Sequence, residues 1–355
     1  MADRIRVAVI GTSFASSVQI PGFQLLDGVE VVGVASARES RAKDAAERFV
    51  IPAAYGDWRR MLDEVECDVV SIVTPPHLHH EMALAALDRG RHVICEKPFA
   101  MDVAQGREMV DRAVASGLVH AVDHEFRYMA ARRYVKELLE AGYVGEPRVA
   151  RWAWLMPMLA TPQSRGWDWW SERSKGGGLF GALGSHLIDS LMWWLGDITE
   201  VTAQINTFVE QRQEAETKVW RAVSADDDVS MLLRFKNGAR ASVDLTGLAR
   251  VGHRKLEIFG SEGTLVMEED ARVLGSKGSA PLAELTIPEH LITRVEGDQR
   301  VAPFTVFARR VMARVRGGDE GDFADFRQGL RVQRVMDAAH ASMDDRTVVA
   351  VLGDA

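Results

Sequence analysis

The residues with chemistry to offer fall in two short stretches. The first is Cys95-Glu96-Lys97-Pro98, which follows the apolar run His92-Val93-Ile94. That run reads as a buried strand, and the end of a strand in an open parallel sheet is a ligand crevice rather than a solvated rim. Pro98 fixes the backbone and pushes Lys97 away from helical geometry. A lysine so placed is a positioned ammonium; the plainer reading is a lysine capping a surface turn. The second stretch runs Lys175-Gly176-Gly177-Gly178 to Gly184-Ser185-His186-Leu187-Ile188-Asp189. Its glycines let a loop and a helix start approach a ligand closely. Asp189 is three residues after His186 and Ala182 four before it, so the three share a helix face. A histidine on a helix with Leu183, Leu187 and Leu191 is often a core residue, but the glycine run beside it favours a ligand-facing role.

The elements that must position these residues alternate in the first third of the chain. Residues 4–10 read as a strand that meets Gly11-Thr12-Ser13-Phe14-Ala15-Ser16, with an amphipathic helix following to about Leu26. Strand, tight glycine turn and helix form the first unit of a dinucleotide fold. The fingerprint is incomplete, with Ser13 and Ser16 where further glycines are usual. Strands at 30–35, 69–73 and 92–95 alternate with helices at 41–49, 81–89 and 103–116, which means βαβ units and a parallel sheet. After the second strand comes Ser36-Ala37-Arg38, where an NAD site wants an acid for the ribose hydroxyls. A serine and an arginine suit a 2′-phosphate instead, so NADP is somewhat favoured. Thr74-Pro75-Pro76-His77-Leu78-His79-His80 lies at the same edge. The three histidines have no further ligand cluster in a recognisable spacing, so no metal is expected and the prolines are read as shaping a loop beside the cofactor.

Near Val122-Asp123-His124-Glu125-Phe126-Arg127 the alternation stops, and a period-two pattern takes over. Strands are expected at 147–154, 201–209, 229–235, 239–245, 255–259 and 263–267, with Lys236-Asn237-Gly238 as a hairpin turn. The expected division is a dinucleotide-binding domain over 1–121 and an α+β domain over 122–355 with a mostly antiparallel sheet. Residues 270–300 read as irregular, and a long helix at about 323–343 is expected to pack back across the first domain. Seven of nine tryptophans lie between Trp152 and Trp194. They read either as a core or as a wall for sugar rings, with Trp167 the candidate carried forward. Asp226-Asp227-Asp228 reads as a solvated turn.

Composition narrows the partners. The 355 residues are 47% hydrophobic and 26% charged, with a net charge of -8 and two cysteines. That describes an α/β protein of two domains with no basic footprint for nucleic acid. Two cysteines make no disulfide framework, which fits a reducing compartment. No apolar run reaches membrane-spanning length and residues 1–4 lead straight into a strand, so a cytoplasmic protein without membrane contact is expected.

Taken together, Gly11-Thr12-Ser13-Phe14, Thr74-Pro75-Pro76-His77-Leu78-His79, Glu96-Lys97-Pro98, the glycine run to His186 and Asp189, and Phe259-Gly260-Ser261-Glu262-Gly263-Thr264 resemble the glucose–fructose oxidoreductase / inositol dehydrogenase family, Gfo/Idh/MocA. The resemblance implies a Rossmann domain and a second domain whose open sheet often forms a subunit interface, hence a homo-oligomer, dimer or tetramer. It also implies NAD(P)-dependent oxidation or reduction of a sugar, cyclitol or related polyol. The family lysine maps onto Lys97 and the family histidine onto His186. Cofactor contacts are expected from Gly11, Thr12, Ser13, Phe14, Ser36, Arg38, Thr74, Pro75, His79, Glu96 and Lys97. Substrate contacts are expected from Lys97, Arg127, Trp167, His186 and Asp189. Many members carry an aspartate where this chain has Ala182, which puts the acid–base relay in question. A catalytically silent nucleotide-binding regulator and a cofactor-recycling glycoside-processing enzyme are the alternatives.

Overall fold

The computed structural model describes residues 4–351. Its contacts divide the chain into two compact units, Met1–Tyr128 with Thr293–Leu330, and Met129–Ile292 with Arg331–Ala355. This differs from the division expected at residue 122 in two ways. The strand–helix alternation runs on through one more strand, and a later segment rejoins the first unit.

In the first unit the strands are β1 (Ile5–Ile10), β2 (Val29–Ala35), β3 (Ala53–Tyr55), β4 (Val69–Ile72), β5 (His92–Cys95) and β6 (His120–Val122). They form one sheet in the order β3-β2-β1-β4-β5-β6, with every pairing parallel. The order reverses between β1 and β4, and that switch point is where a doubly wound sheet opens a crevice. Helices α1 (Ile20–Gln24), α2 (Glu39–Phe49), α3 (Trp58–Glu64), α4 (His79–Asp88) and α5 (Val103–Ser116) make the crossovers. Sequence reading missed β3, α3 and β6, which are short.

Both faces of this sheet are covered. Val7 and Val9 of β1 face one core, and Ala8 and Ile10 face the other. The first core takes in Phe304, Phe307 and Val311 from a helix at Val301–Val315. Each buried phenylalanine contributes about 1.5–3 kcal/mol. This helix, absent from the sequence reading, is why residues 293–330 belong to the first unit.

The second unit opens with α6 (Ala130–Glu140), β7 (Pro147–Leu155) and α7 (Ser185–Leu195). Next come β8 (Ile198–Asn206), β9 (Gln211–Gln213), β10 (Trp220–Ala222), β11 (Asp228–Phe235) and β12 (Arg240–Thr246). The last group is β13 (His253–Gly260), β14 (Gly263–Glu268), β15 (Arg272–Lys277), β16 (Ala283–Leu285) and β17 (Val349–Ala350). Nine of these strands form a sheet in the order β16-β15-β14-β13-β7-β12-β11-β8-β17. The pairing of β7 with β12 is parallel and the others are antiparallel. The Val301–Val315 helix is α8, and α9 (Phe326–Asp345) is the long C-terminal helix. The stretch read as irregular holds β15 and β16.

Alternation along β7 decides the tryptophans. Trp152 and Trp154 point inward and are buried, with Trp152 against Trp194 of α7 at a ring separation of 5.3 Å. The fully buried Arg132 lies over both rings and pairs with Asp270 at 2.8 Å. These two rings are core, not a wall for sugars.

Candidate active site

The site grows from the switch point. After β1 the chain turns at Gly11, whose φ of 108° few side chains tolerate. A Cβ there would collide with the carbonyl oxygen of Val73, the residue after β4. The Gly11 amide donates to Ala35 O at the end of β2 (2.8 Å), which pins the turn to its neighbour. Glycine thus lets the turn lie tight against the end of β4, a backbone cradle of the kind that precedes the pyrophosphate site in a dinucleotide fold. Thr12, Ser13 and Phe14 follow. The continuous helix expected here is broken: Ala15–Gln19 forms one π-helical turn and α1 begins only at Ile20. Such wide turns are frequent at functional sites. At the end of β2, the Ser36 amide donates to Tyr55 O, and the exposed Arg38 precedes α2. No acid stands there for a ribose.

Thr74 and Pro75 leave β4, and the fully buried His79 braces them. Its Nε2 lies 2.9 Å from Thr74 O and its Nδ1 3.0 Å from Pro98 O. Burial drives its pKa down to about 4, so the ring is neutral and donates to one carbonyl at a time. His79 therefore joins the loop after β4 to the turn after β5. Among its companions, His80 turns to Glu108 (2.9 Å) and His77 is exposed.

That turn carries Lys97, one-sixth exposed, followed by a cis peptide to Pro98. The ammonium nitrogen lies 3.8 Å from Glu96 Oε2. Around it is a polar knot that sequence reading did not assemble. Ser71 of β4 donates to Gln19 Oε1 at 2.5 Å. The Gln19 amide nitrogen donates to Glu96 Oε1 and to Asp123 Oδ2, each at 2.8 Å. Burial raises the pKa of Glu96, lifts Asp123 well above the usual carboxylate range and pushes Glu125 up to about 8. Arg127 is buried in the 3-10 turn Glu125–Tyr128 that follows. Two signals could have found the knot. Gln19 is a lone amide between Val18 and Ile20, and Asp123 and Glu125 stand directly after an apolar strand at the ligand edge.

The second unit places His186 by different means. The glycine run ends in a π-helical turn, Phe180–Gly184, whose last amide leads into α7. Asp226 holds the start of that turn: its carboxylate accepts the Phe180 N–H at 2.6 Å, and its carbonyl accepts the Leu179 N–H at 3.1 Å. Asp227, almost fully buried, accepts the amides of Phe208 and Val209. Asp226 and Asp227 are thus braces rather than part of a solvated turn. His186 and Asp189 are buried one turn apart on α7, and Ala182 sits within the wide turn before them. Trp167, half-buried, donates its indole N–H to Ala222 O (3.0 Å), with Arg221 over its ring.

A Rossmann sheet with a glycine cradle at its switch point and a lysine at the end of β5 defines a nicotinamide-dependent oxidoreductase. Comparison with known proteins agrees. Residues 5–124 match the model of the GFO/IDH/MocA oxidoreductase family with an NAD-binding Rossmann fold, and residues 132–266 match the GFO/IDH/MocA C-terminal domain. An uncharacterised oxidoreductase of Synechocystis sp. is 31% identical over 85% of this chain and 84% of its own. Levoglucosan dehydrogenase of Pseudarthrobacter phenanthrenivorans is 32% identical over 67% of this chain and 65% of its own. A solved levoglucosan dehydrogenase in complex with NADH and L-sorbose superposes with a TM-score of 0.90 at 26% identity, covering 99% of this chain and 100% of that one. The chain belongs to the GFO/IDH/MocA oxidoreductase family. Its chemistry is oxidation or reduction at a CH–OH group.

Proposed function

We propose that this protein oxidises a sugar or closely related polyol, or reduces the matching ketone, with Lys97 and His186 as the proton-handling groups. The observation that carries this reading is Lys97 itself, held at the end of β5, the strand next to β4 at the switch point, and backed by buried carboxylates. Bound NAD accepts or supplies the hydride. The chain's own residues hold it through Gly11, Thr12, Ser13 and Phe14 and through the Thr74-Pro75 loop. They also manage the proton that must leave or join the substrate oxygen as the hydride moves. Arg38 and the missing ribose acid support use of NADP alongside NAD. Arg127, Trp167 and Asp189 are assigned to the substrate, and the working form is a homo-oligomer.

The substrate class follows from the relatives that act on levoglucosan and bind L-sorbose. A panel of levoglucosan, L-sorbose, aldoses and cyclitols, followed by reduced-nicotinamide absorbance with NAD and NADP, tests it. Turnover of at least one member is expected. Tight cofactor binding with no turnover across the panel would replace the reading with that of a nucleotide-binding regulator.

A further inference from the structure

We propose that Glu96 and Asp123, joined through Gln19, form a proton-holding pair that exchanges a proton with Lys97. The inference deepens the assignment of Lys97 and rests on it.

The geometry makes Glu96 a bridge. Its Oε2 faces Lys97, lying 3.3 Å from the Lys97 backbone nitrogen and 3.8 Å from the ammonium. Its Oε1 faces inward to Gln19. The orientation of the Gln19 amide is fixed by its neighbours, because the carboxyl oxygens need the NH2 and Ser71 can give its hydroxyl proton to the carbonyl. Both hydrogens of that NH2 are therefore used, one on each acid. Glu96 and Asp123 thus converge, both buried, on one amide nitrogen at 2.8 Å each. Two buried carboxylates brought together in this way repel, so the pair is stabilised by keeping one proton. Asp123 is wholly buried and its Oδ1 accepts no hydrogen bond, which leaves its negative form poorly stabilised. The pair thus holds one proton with its negative charge turned toward Lys97, and it can accept a second. Cys95, Glu125 and Arg300 also act on this enclosure, the buried His124 adjoins Asp123, and the neutral His79 braces the turn that carries Lys97.

In the oxidation direction the bookkeeping closes. The substrate O–H breaks and an N–H forms on Lys97, while another N–H of Lys97 breaks and an O–H forms on Glu96 Oε2. The hydride would leave the carbon with the C–H electron pair, which bound NAD would accept. Lys97 ends as it began, and the pair holds two protons until one is passed to solvent.

Infrared spectroscopy of the full chain in H2O and D2O tests this without substrate. At neutral pH, Glu125→Gln is carried in both proteins to remove the Glu125 signal. The chain with Asp123 minus the chain with Asp123→Asn should then show one deuterium-sensitive protonated-carboxyl band, and Asp226 of the second unit cancels in the subtraction. Asparagine keeps the shape and the donor of a protonated aspartate, so a merely structural knot survives that change. Lys97→Met removes the positive charge that favours ionisation and should increase the protonated-carboxyl signal. In sugar oxidation, Asp123→Asn should lower turnover about 10- to 100-fold with NAD affinity unchanged. A missing band, a signal indifferent to Lys97→Met, or full turnover of Asp123→Asn at every pH would overturn the proposal. Failure of Lys97 itself would show separately, as unimpaired turnover in Lys97→Met.

Discussion

The two candidate proton-handling residues are placed by opposite kinds of construction. Lys97 is held by charge: a strand end, a glutamate, and a buried knot of Gln19, Ser71 and Asp123. His186 is held by backbone: glycines, a π-helical turn whose start is tied to Asp226, and an apolar helix. A charged knot is sensitive to pH and tolerant of shape, because its geometry follows from who carries a proton. A backbone turn is the reverse, sensitive to any added Cβ. The first unit therefore concentrates shifted carboxyls around its lysine, while in the second the raised acid Asp226, at about 7, braces the start of the π-helical turn.

That contrast can be broken at several points. The largest effect is expected from Gly11→Val, where the first unit too depends on backbone. A side chain colliding with Val73 O, on a backbone that strongly disfavours it, should abolish measurable NAD binding in a fluorescence titration while the sheet still folds. Retained affinity would remove the cradle from the account.

His79 tests the charge side. Its pKa falls from 6.5 to about 4 on folding, through burial. A depressed base contributes stability that is present above pH 6.5 and is lost as the pH falls through 4. The amount is up to about 3 kcal/mol. His79→Asn should flatten the decline of Tm over that window, leaving a residual slope from His340, which is depressed to a similar value. An unchanged slope would mean that the brace between Thr74 and Pro98 is not what titrates.

The smallest expected effect belongs to Arg38. Arg38→Ala should weaken NADP by about 1.5–3 kcal/mol, a charged hydrogen bond, and leave NAD nearly untouched. Equal losses for both cofactors would sharpen the comparison by confining charge-based placement to Lys97.

The same contrast explains what could be read from the sequence. The parallel sheet was legible because 4–10, 30–35, 69–73 and 92–95 are apolar runs at βαβ spacing, and the second sheet because its strands alternate. Lys97 was legible because a charge between a buried strand and a proline has few uses. The knot behind it was not, since Gln19, Ser71, Glu96 and Asp123 lie on four separate elements that only the folded sheet brings together. The π-helical turns were illegible too, because no residue type marks a widened turn. α8 does carry a signal in the sequence: Val301, Phe304, Ala308 and Val311 recur at helical spacing. Asp226 and Asp227 looked solvated because three adjacent acids usually are, yet each found backbone amides to cap.

The most direct test compares wild type with Lys97→Met on the same sugar panel, measuring hydride transfer by nicotinamide absorbance and cofactor affinity by titration. The account predicts turnover lower by about 10²–10⁴ with NAD affinity nearly unchanged. Full turnover in Lys97→Met, with NAD bound as in wild type, would contradict it.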